Sequence, residues 1–138
     1  KRQRRLKDLT LSFYNVGKLT DMSLQIISHL LKELANLQSI QLFISGSNQI
    51  TDSGLESLGE SIKGLILLEN LTFHLKACQN ITDVGLKKLG ECLQGLVCLK
   101  KISLDFDGSE QITEVGKQEI KERLKKLPNL VEENLMLS

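Results

Sequence analysis

His74 and Asp105 are the two residues of this chain whose types suggest acid–base chemistry, and they stand 31 positions apart. An imidazole beside a carboxylate is two thirds of a hydrolytic triad: the carboxylate orients the ring, and the ring's far nitrogen takes a proton from a hydroxyl. Ser12, Thr72 and Ser103 are the hydroxyls such a site could draw on. The other reactive groups are Cys78, Cys92 and Cys98. They form no Cys-x-x-Cys pair, and neither His29 nor His74 stands at ligand spacing from them, so the pattern calls for no metal and no cofactor. An odd cysteine count without paired spacing argues against a disulfide framework and fits a reducing intracellular compartment, the cytoplasm first. Cys78 and Cys92 each follow a serine by one 31-residue period (Ser47 and Ser61), which reads as small filler.

Whether His74 meets Asp105 depends on the elements that carry them, and those elements repeat. Leu19-Thr20-Asp21, Ile50-Thr51-Asp52, Ile81-Thr82-Asp83 and Ile112-Thr113-Glu114 recur every 31 residues. Gly54, Gly85 and Gly116 follow the acid by two positions in the later copies, and Ser23 fills that slot in the first. A fixed period in the range of about 20–50 residues is the signature of a solenoid.

At this period the apolar residues fall into columns. One set is Leu6, Leu37, Leu68, Leu99 and Leu130, followed by Leu9, Ile40, Leu71 and Ile102. Two more are Leu11, Leu42, Phe73, Leu104 and Leu135, then Phe13, Ile44, Leu75, Phe106 and Leu137. Their final spacing of two predicts a short strand with one face inward, and one strand per repeat with a long return predicts parallel neighbours. The second half of each repeat spaces its apolar residues by 3, 4 and 3, as in Leu55, Leu58, Ile62 and Leu65, which predicts a helix of roughly three turns. The threonine before it reads as the helix N-cap, and the acid after it suits the positive end of the dipole. Gly64 and Gly95 stand where two helices should end, a place that favours a left-handed residue.

The strand phrase L-x-x-L-x-L and the helix start I-T-D-x-G-L resemble leucine-rich repeats of the ribonuclease-inhibitor-like class. The tract from Asn80 to Glu91 is similar to repeat-rich proteins of single-celled eukaryotes. The resemblance spans essentially the whole chain, although the asparagine usual after the strand has no steady column here. It implies an α/β leucine-rich-repeat solenoid, with a curved parallel sheet on the concave side and helices on the convex side, used for protein binding. It carries over no catalytic residue. Some relatives of that class regulate an enzyme in trans, by inhibition or GTPase activation, and this stands as a further alternative.

The 138 residues read as a single domain of about four β–α repeats and a final strand, a fragment of a longer chain or continuous with one, since the first residue is Lys1 and not Met. Hydrophobic content of 41%, charged content of 25% and a net charge of +1 are those of an ordinary globular protein. No apolar run is long enough to span a membrane, and no global field favours nucleic acid. The basic run Lys1-Arg2-Gln3-Arg4-Arg5 has no interleaved aromatics that could stack on bases. The charged final helix and Glu133, in an otherwise apolar column, suit a C-terminal cap.

Between the inward columns lie the side chains of the concave face. The candidate protein-binding residues there are Tyr14, Gln41, Phe43, Thr72, His74, Lys76, Lys101, Asp105 and Asp107. Tyr14 and Phe43 have no core duty in this register, and exposed aromatics anchor interfaces. The row Ser12, Phe43, His74, Asp105, Met136 puts neighbours about 5 Å apart. Phe43 stands where a nucleophile should, Ser12 is two strands away, and Thr72 and Ser103 are one row off. The expectation is therefore a His74–Asp105 surface contact without catalysis, in an interaction module with protein partners and no small-molecule substrate. The rival is a structural subunit built permanently into a large assembly.

Overall fold

The computed structural model describes residues 5–14 and 19–137. Five strands alternate with four helices: β1 (Asp8–Phe13), α1 (Asp21–Lys32), β2 (Ser39–Ser45), α2 (Asp52–Ile62), β3 (Asn70–Lys76), α3 (Asp83–Leu93), β4 (Lys101–Asp105), α4 (Glu114–Leu124) and β5 (Glu132–Met136). The strands form one parallel sheet in chain order. Partners across the sheet differ by 31 residues throughout, as in Leu9–Ile40, Leu71–Ile102 and His74–Asp105. The result is a β/α repeat solenoid with its helices on one face of the sheet.

The columns read from the sequence form the core. Leu42, Phe73 and Leu104 from the strands meet Leu55, Leu58, Leu86 and Leu89 from the helices, all essentially inaccessible to water. The ends of the array deviate. Leu6 is 38% exposed instead of buried, because β1 is an edge and no inner layer lies beyond it among the described residues. Leu9, Leu11 and Phe13 are only partly covered for the same reason. Glu133 is exposed beside Ile102, as its charge requires. The basic run Lys1–Arg4 lies outside the described residues.

The recurring threonines start the helices as expected in three of four repeats. Thr20, Thr51 and Thr82 accept from the backbone N–H of Ser23, Ser53 and Val84, whereas Thr113 makes no such bond. The acid beside each threonine does more than suit a dipole. Asp21 reaches forward one repeat, where its carboxylate accepts from the Thr51 N–H at 2.7 Å and the Thr51 hydroxyl at 2.5 Å. The Gly54 N–H adds a third bond at 3.1 Å. Asp52 takes Thr82 in the same way, at 2.8 and 2.5 Å, and Asp83 takes the N–H and hydroxyl of Thr113. Each hydroxyl thus donates to the previous repeat while, in the second and third helices, accepting from its own. The motif is a rung of an inter-repeat ladder as well as a cap.

The ladder also accounts for the glycines. A β-carbon on Gly54, Gly85 or Gly116 would collide with the carboxylate of Asp21, Asp52 or Asp83. Left-handed backbone occurs elsewhere than expected. Gly64 and Gly95 are not left-handed, and their helices end on Lys63 and Gln94 in ordinary helical geometry. Among the described residues the left-handed ones are Gly46, Ala77 and Gly108, with φ of 72°, 56° and 87°, one period apart at the strand exits. There the Gly46 and Ala77 N–H groups donate to Lys76 and Asp107 of the next repeat.

Two stability predictions follow from these positions, both read by chemical denaturation. Gly85→Ala should cost about 2 kcal/mol or more by displacing the Asp52 carboxylate, whereas Gly64→Ala, with open space around it, should stay within about 0.5 kcal/mol of wild type. Ala77→Gly should stabilise the chain by up to about 1 kcal/mol, because it relieves the left-handed strain of an L residue.

Candidate functional site: the open face of the sheet

Side chains that alternate with the core columns stand on the face that carries no helices. Tyr14, Phe43 and His74 form a continuous row there, stepping across three strands. The Tyr14 and Phe43 ring centroids are 5.9 Å apart at 50°, and Phe43 meets His74 edge-on at 5.1 Å and 87°. Such tilted and edge-to-face pairs are the favoured aromatic geometries, so the rings hold one another without help from the core. Tyr14 is 40% exposed at the end of β1, and Phe43 and His74 are half-buried.

His74 does not meet Asp105, although the two are register partners. Its Nε2 lies 3.0 Å from the Ser103 hydroxyl instead. Ser103, expected to be one row out of reach, is the nearest hydroxyl to the imidazole. The cause is that Asp105 is already engaged. Its carboxylate pairs with Lys76 Nζ at 3.5 Å and accepts the Asp107 N–H at 2.9 Å in the turn after β4. Asp105 is consequently only 4% exposed, which corrects its place among the exposed binding residues. A relay from Asp105 through His74 to Ser103 would need that carboxylate on the ring, and it is spent elsewhere.

Burial lowers the His74 pKa from its ordinary value; the Asp105 charge opposes this and Lys76 adds to it. The imidazole is therefore held neutral at pH 7 between Phe43 and Ser103.

The remaining expected residues are all on this face or its rim. Gln41 is exposed, and Thr72 stands half-buried between Gln41 and Ser103. Lys76, Lys101 and Asp107 are exposed toward the β4 side. The face thus divides into an aromatic half over β1–β3 and a charged half over β3–β5. Ser103 was missed as a partner because side-chain reach, and not register, decides it.

The helix side is bound by polar contacts between repeats. Lys63 pairs with Glu60 one turn before it at 3.0 Å, whereas Lys88–Glu56 at 3.2 Å and Arg123–Glu91 at 3.7 Å link successive helices. Cys92 is buried with its thiol 3.5 Å from the Glu60 carboxylate; burial and that carboxylate push its pKa up to about 11. All three cysteines are free. A polar groove of about 410 Å³ between α1 and α2 is lined by Gln25, Ser28, His29, Lys32, Glu56, Ser57 and Glu60. Among the described residues no cluster of three His, Cys, Asp or Glu could hold a metal ion, and no helix is long and apolar enough to cross a membrane.

No known protein family matches this sequence. No curated protein matches it either. Among solved structures the chain is similar to leiomodin-1 actin-binding site 2, with a TM-score of 0.71 and 12% identity over 99% of this chain and 76% of that one. The likeness places the chain in the class of β/α repeat solenoids and concerns the fold alone.

One pH prediction follows from His74. The unfolded chain takes up the His74 proton near pH 6.5, and the folded chain only at lower pH. Stability should therefore fall as the pH drops through 6.5, and the loss should level off below the folded pKa. The melting temperature of wild type should decline more between pH 7.5 and 5.5 than that of His74→Gln.

Proposed function

We propose that this chain is a protein-interaction module of the leucine-rich-repeat type, ribonuclease-inhibitor-like in its use of a true helix in every repeat, and that it presents the open face of its sheet to a protein partner. The observation that carries the reading is the Tyr14–Phe43–His74 row. These rings stand together on a face that owes nothing to the core, and large clustered aromatics are the side chains that anchor protein interfaces. The charged half, with Lys76, Lys101 and Asp107, would supply a polar rim. Rigid repeats hold these groups in register, so little order has to be imposed on binding.

The reading includes no catalysis. Ser103 and His74 share a hydrogen bond, but Asp105 is committed to Lys76 and to its own turn, which leaves the ring without an orienting carboxylate. Actin is the first partner to offer, because the similar solved fold is named for binding it. Filament co-sedimentation tests that partner, and capture on the immobilised chain from a cell extract samples the others. Phe43→Ser and Tyr14→Ser should each weaken the interaction about tenfold or more with nearly unchanged melting curves. Glu119→Ser and Glu122→Ser on the helix side should bind as wild type. Full binding by both aromatic variants would sink the open-face reading.

A further inference from the structure

His74 stands where the aromatic half of the open face meets the charged half, and it touches both. Toward β2 its ring meets Phe43 edge-on at 5.1 Å. Toward β4 its Nε2 lies 3.0 Å from the Ser103 hydroxyl. The residues that β2 sets on this face, Ser39, Gln41, Phe43 and Ser45, include no ionisable group. The charges around the ring therefore stand on its own strand, as Lys76, or on β4 and the turn after it, as Lys101, Asp105 and Asp107.

β4 offers the imidazole two partners, one for each charge state. Ser103 and Asp105 lie two residues apart on the same face, and Asp105 is the register partner of His74. A neutral ring is served by the Ser103 hydroxyl, which can donate or accept. A protonated ring calls for an anion. The two oxygens of the Asp105 carboxylate are unequally held: Oδ1 accepts the Asp107 N–H at 2.9 Å, whereas Oδ2 has Lys76 Nζ at 3.5 Å. A charge-assisted N–H···O bond is shorter, at about 2.7–2.9 Å. The Lys76 side chain is also 49% exposed, so it loses little by returning to water. Oδ2 is thus a loosely held acceptor beside the ring.

Burial makes the neutral ring the resident form at pH 7, and acid is needed to charge it. Once charged, the ring has two places to go. Staying against Phe43 offers at best a cation–π contact at a half-buried site. Moving to Oδ2 exchanges it for a charge-assisted bond to a carboxylate that water scarcely reaches, which is the stronger interaction. Phe43 and Asp105 flank β3 on opposite sides, so a ring drawn onto Oδ2 moves away from Phe43.

We propose that His74 is an acid-operated joint of the open face: neutral, it bonds Ser103 and completes the Tyr14–Phe43–His74 row; protonated, it swings to Asp105, displaces Lys76 and leaves Phe43. The consequence for binding rests on the open-face reading, since a partner seated on the row would lose one of its three rings in mild acid. The swing itself belongs to the free chain and is tested there. Long-range imidazole proton–nitrogen spectra of the nitrogen-15-labelled chain follow both histidines, with His29 as internal reference and His74→Gln for assignment. On acidification the His74 ring should protonate with a midpoint below 6.5. With that same midpoint it should lose its nuclear Overhauser contacts to the Phe43 ring, while the amide signals of the buried Leu58 and Leu89 stay in place. In Asp105→Asn, which keeps an acceptor for the Asp107 N–H, the ring should protonate at lower pH and retain the Phe43 contacts. Contacts that survive protonation in wild type, that are lost equally in Asp105→Asn, or that vanish only as the core amides unfold would overturn the proposal. None of these outcomes alters the binding expected of Phe43→Ser and Tyr14→Ser, so the joint and the open-face reading fail separately.

Discussion

The structure depends on one bond set: an aspartate carboxylate that bridges to the next repeat and takes both the N–H and the hydroxyl of its threonine. Asp21 with Thr51, Asp52 with Thr82 and Asp83 with Thr113 are the same arrangement three times. A charge-assisted bond of this kind is about twice as strong as a neutral one, and it is short and directional. Hydrophobic burial between leucine layers is large but tolerates small slips. The ladder does not tolerate them, because moving a repeat along its neighbour by one residue would strand a carboxylate and an amide together. Leucine columns thus supply the drive to stack, and the Asp–Thr rung fixes the register in which stacking occurs.

Much else in the sequence follows from keeping that rung intact. Glycine two residues after the acid is required because the carboxylate occupies the volume of a β-carbon. Hydroxyls and amides in the loops add weaker ties of the same sense: Asn80 to the Asn48 carbonyl at 2.6 Å, Gln111 to Gln79 at 2.9 Å and Ser109 to Cys78 at 3.0 Å. Each joins one repeat to the next. The strands are consequently fixed at both ends, and the open face between them is free to vary without loss of shape. That freedom explains why Phe43, His74 and Asp105 can be register neighbours of unlike chemistry while Leu42, Phe73 and Leu104, one position away, cannot.

The period, the element order, the parallel register and nearly every core residue were legible in the sequence, because packing imposes the same demand on each repeat. Leu55, Leu58 and Ile62 are buried where the 3,4 spacing put them. What was illegible depended on reach and on neighbours. Asp21 looked like a dipole complement because its true partners, Thr51 and Gly54, lie some thirty residues away. His74 was paired with Asp105 by register, yet a long lysine and a turn amide claimed that carboxylate first. Gly64 and Gly95 looked like left-handed helix ends, but the sharp turn that needs such backbone is at the strand exit, where even Ala77 adopts it.

The first copy of the motif carries a lesson about reading repeats. Ser23 fills the slot that glycine holds in later copies, and its hydroxyl takes the Thr20 N–H that an aspartate takes in those copies. At the other end Glu114, one methylene longer than its counterparts, turns to Lys117 of its own helix. Both substitutions put an i,i+3 bond within one helix where the middle repeats bond across to a neighbour. In apolar surface the first and last described helices diverge. The α4 side is covered by its own charges, while the α1 side leaves Ile26 and Leu30 facing outward. Later copies put Lys88, Cys92 and Arg123 in those two columns, each reaching back to a glutamate of the preceding helix, so the column changes chemistry wherever a preceding helix is described.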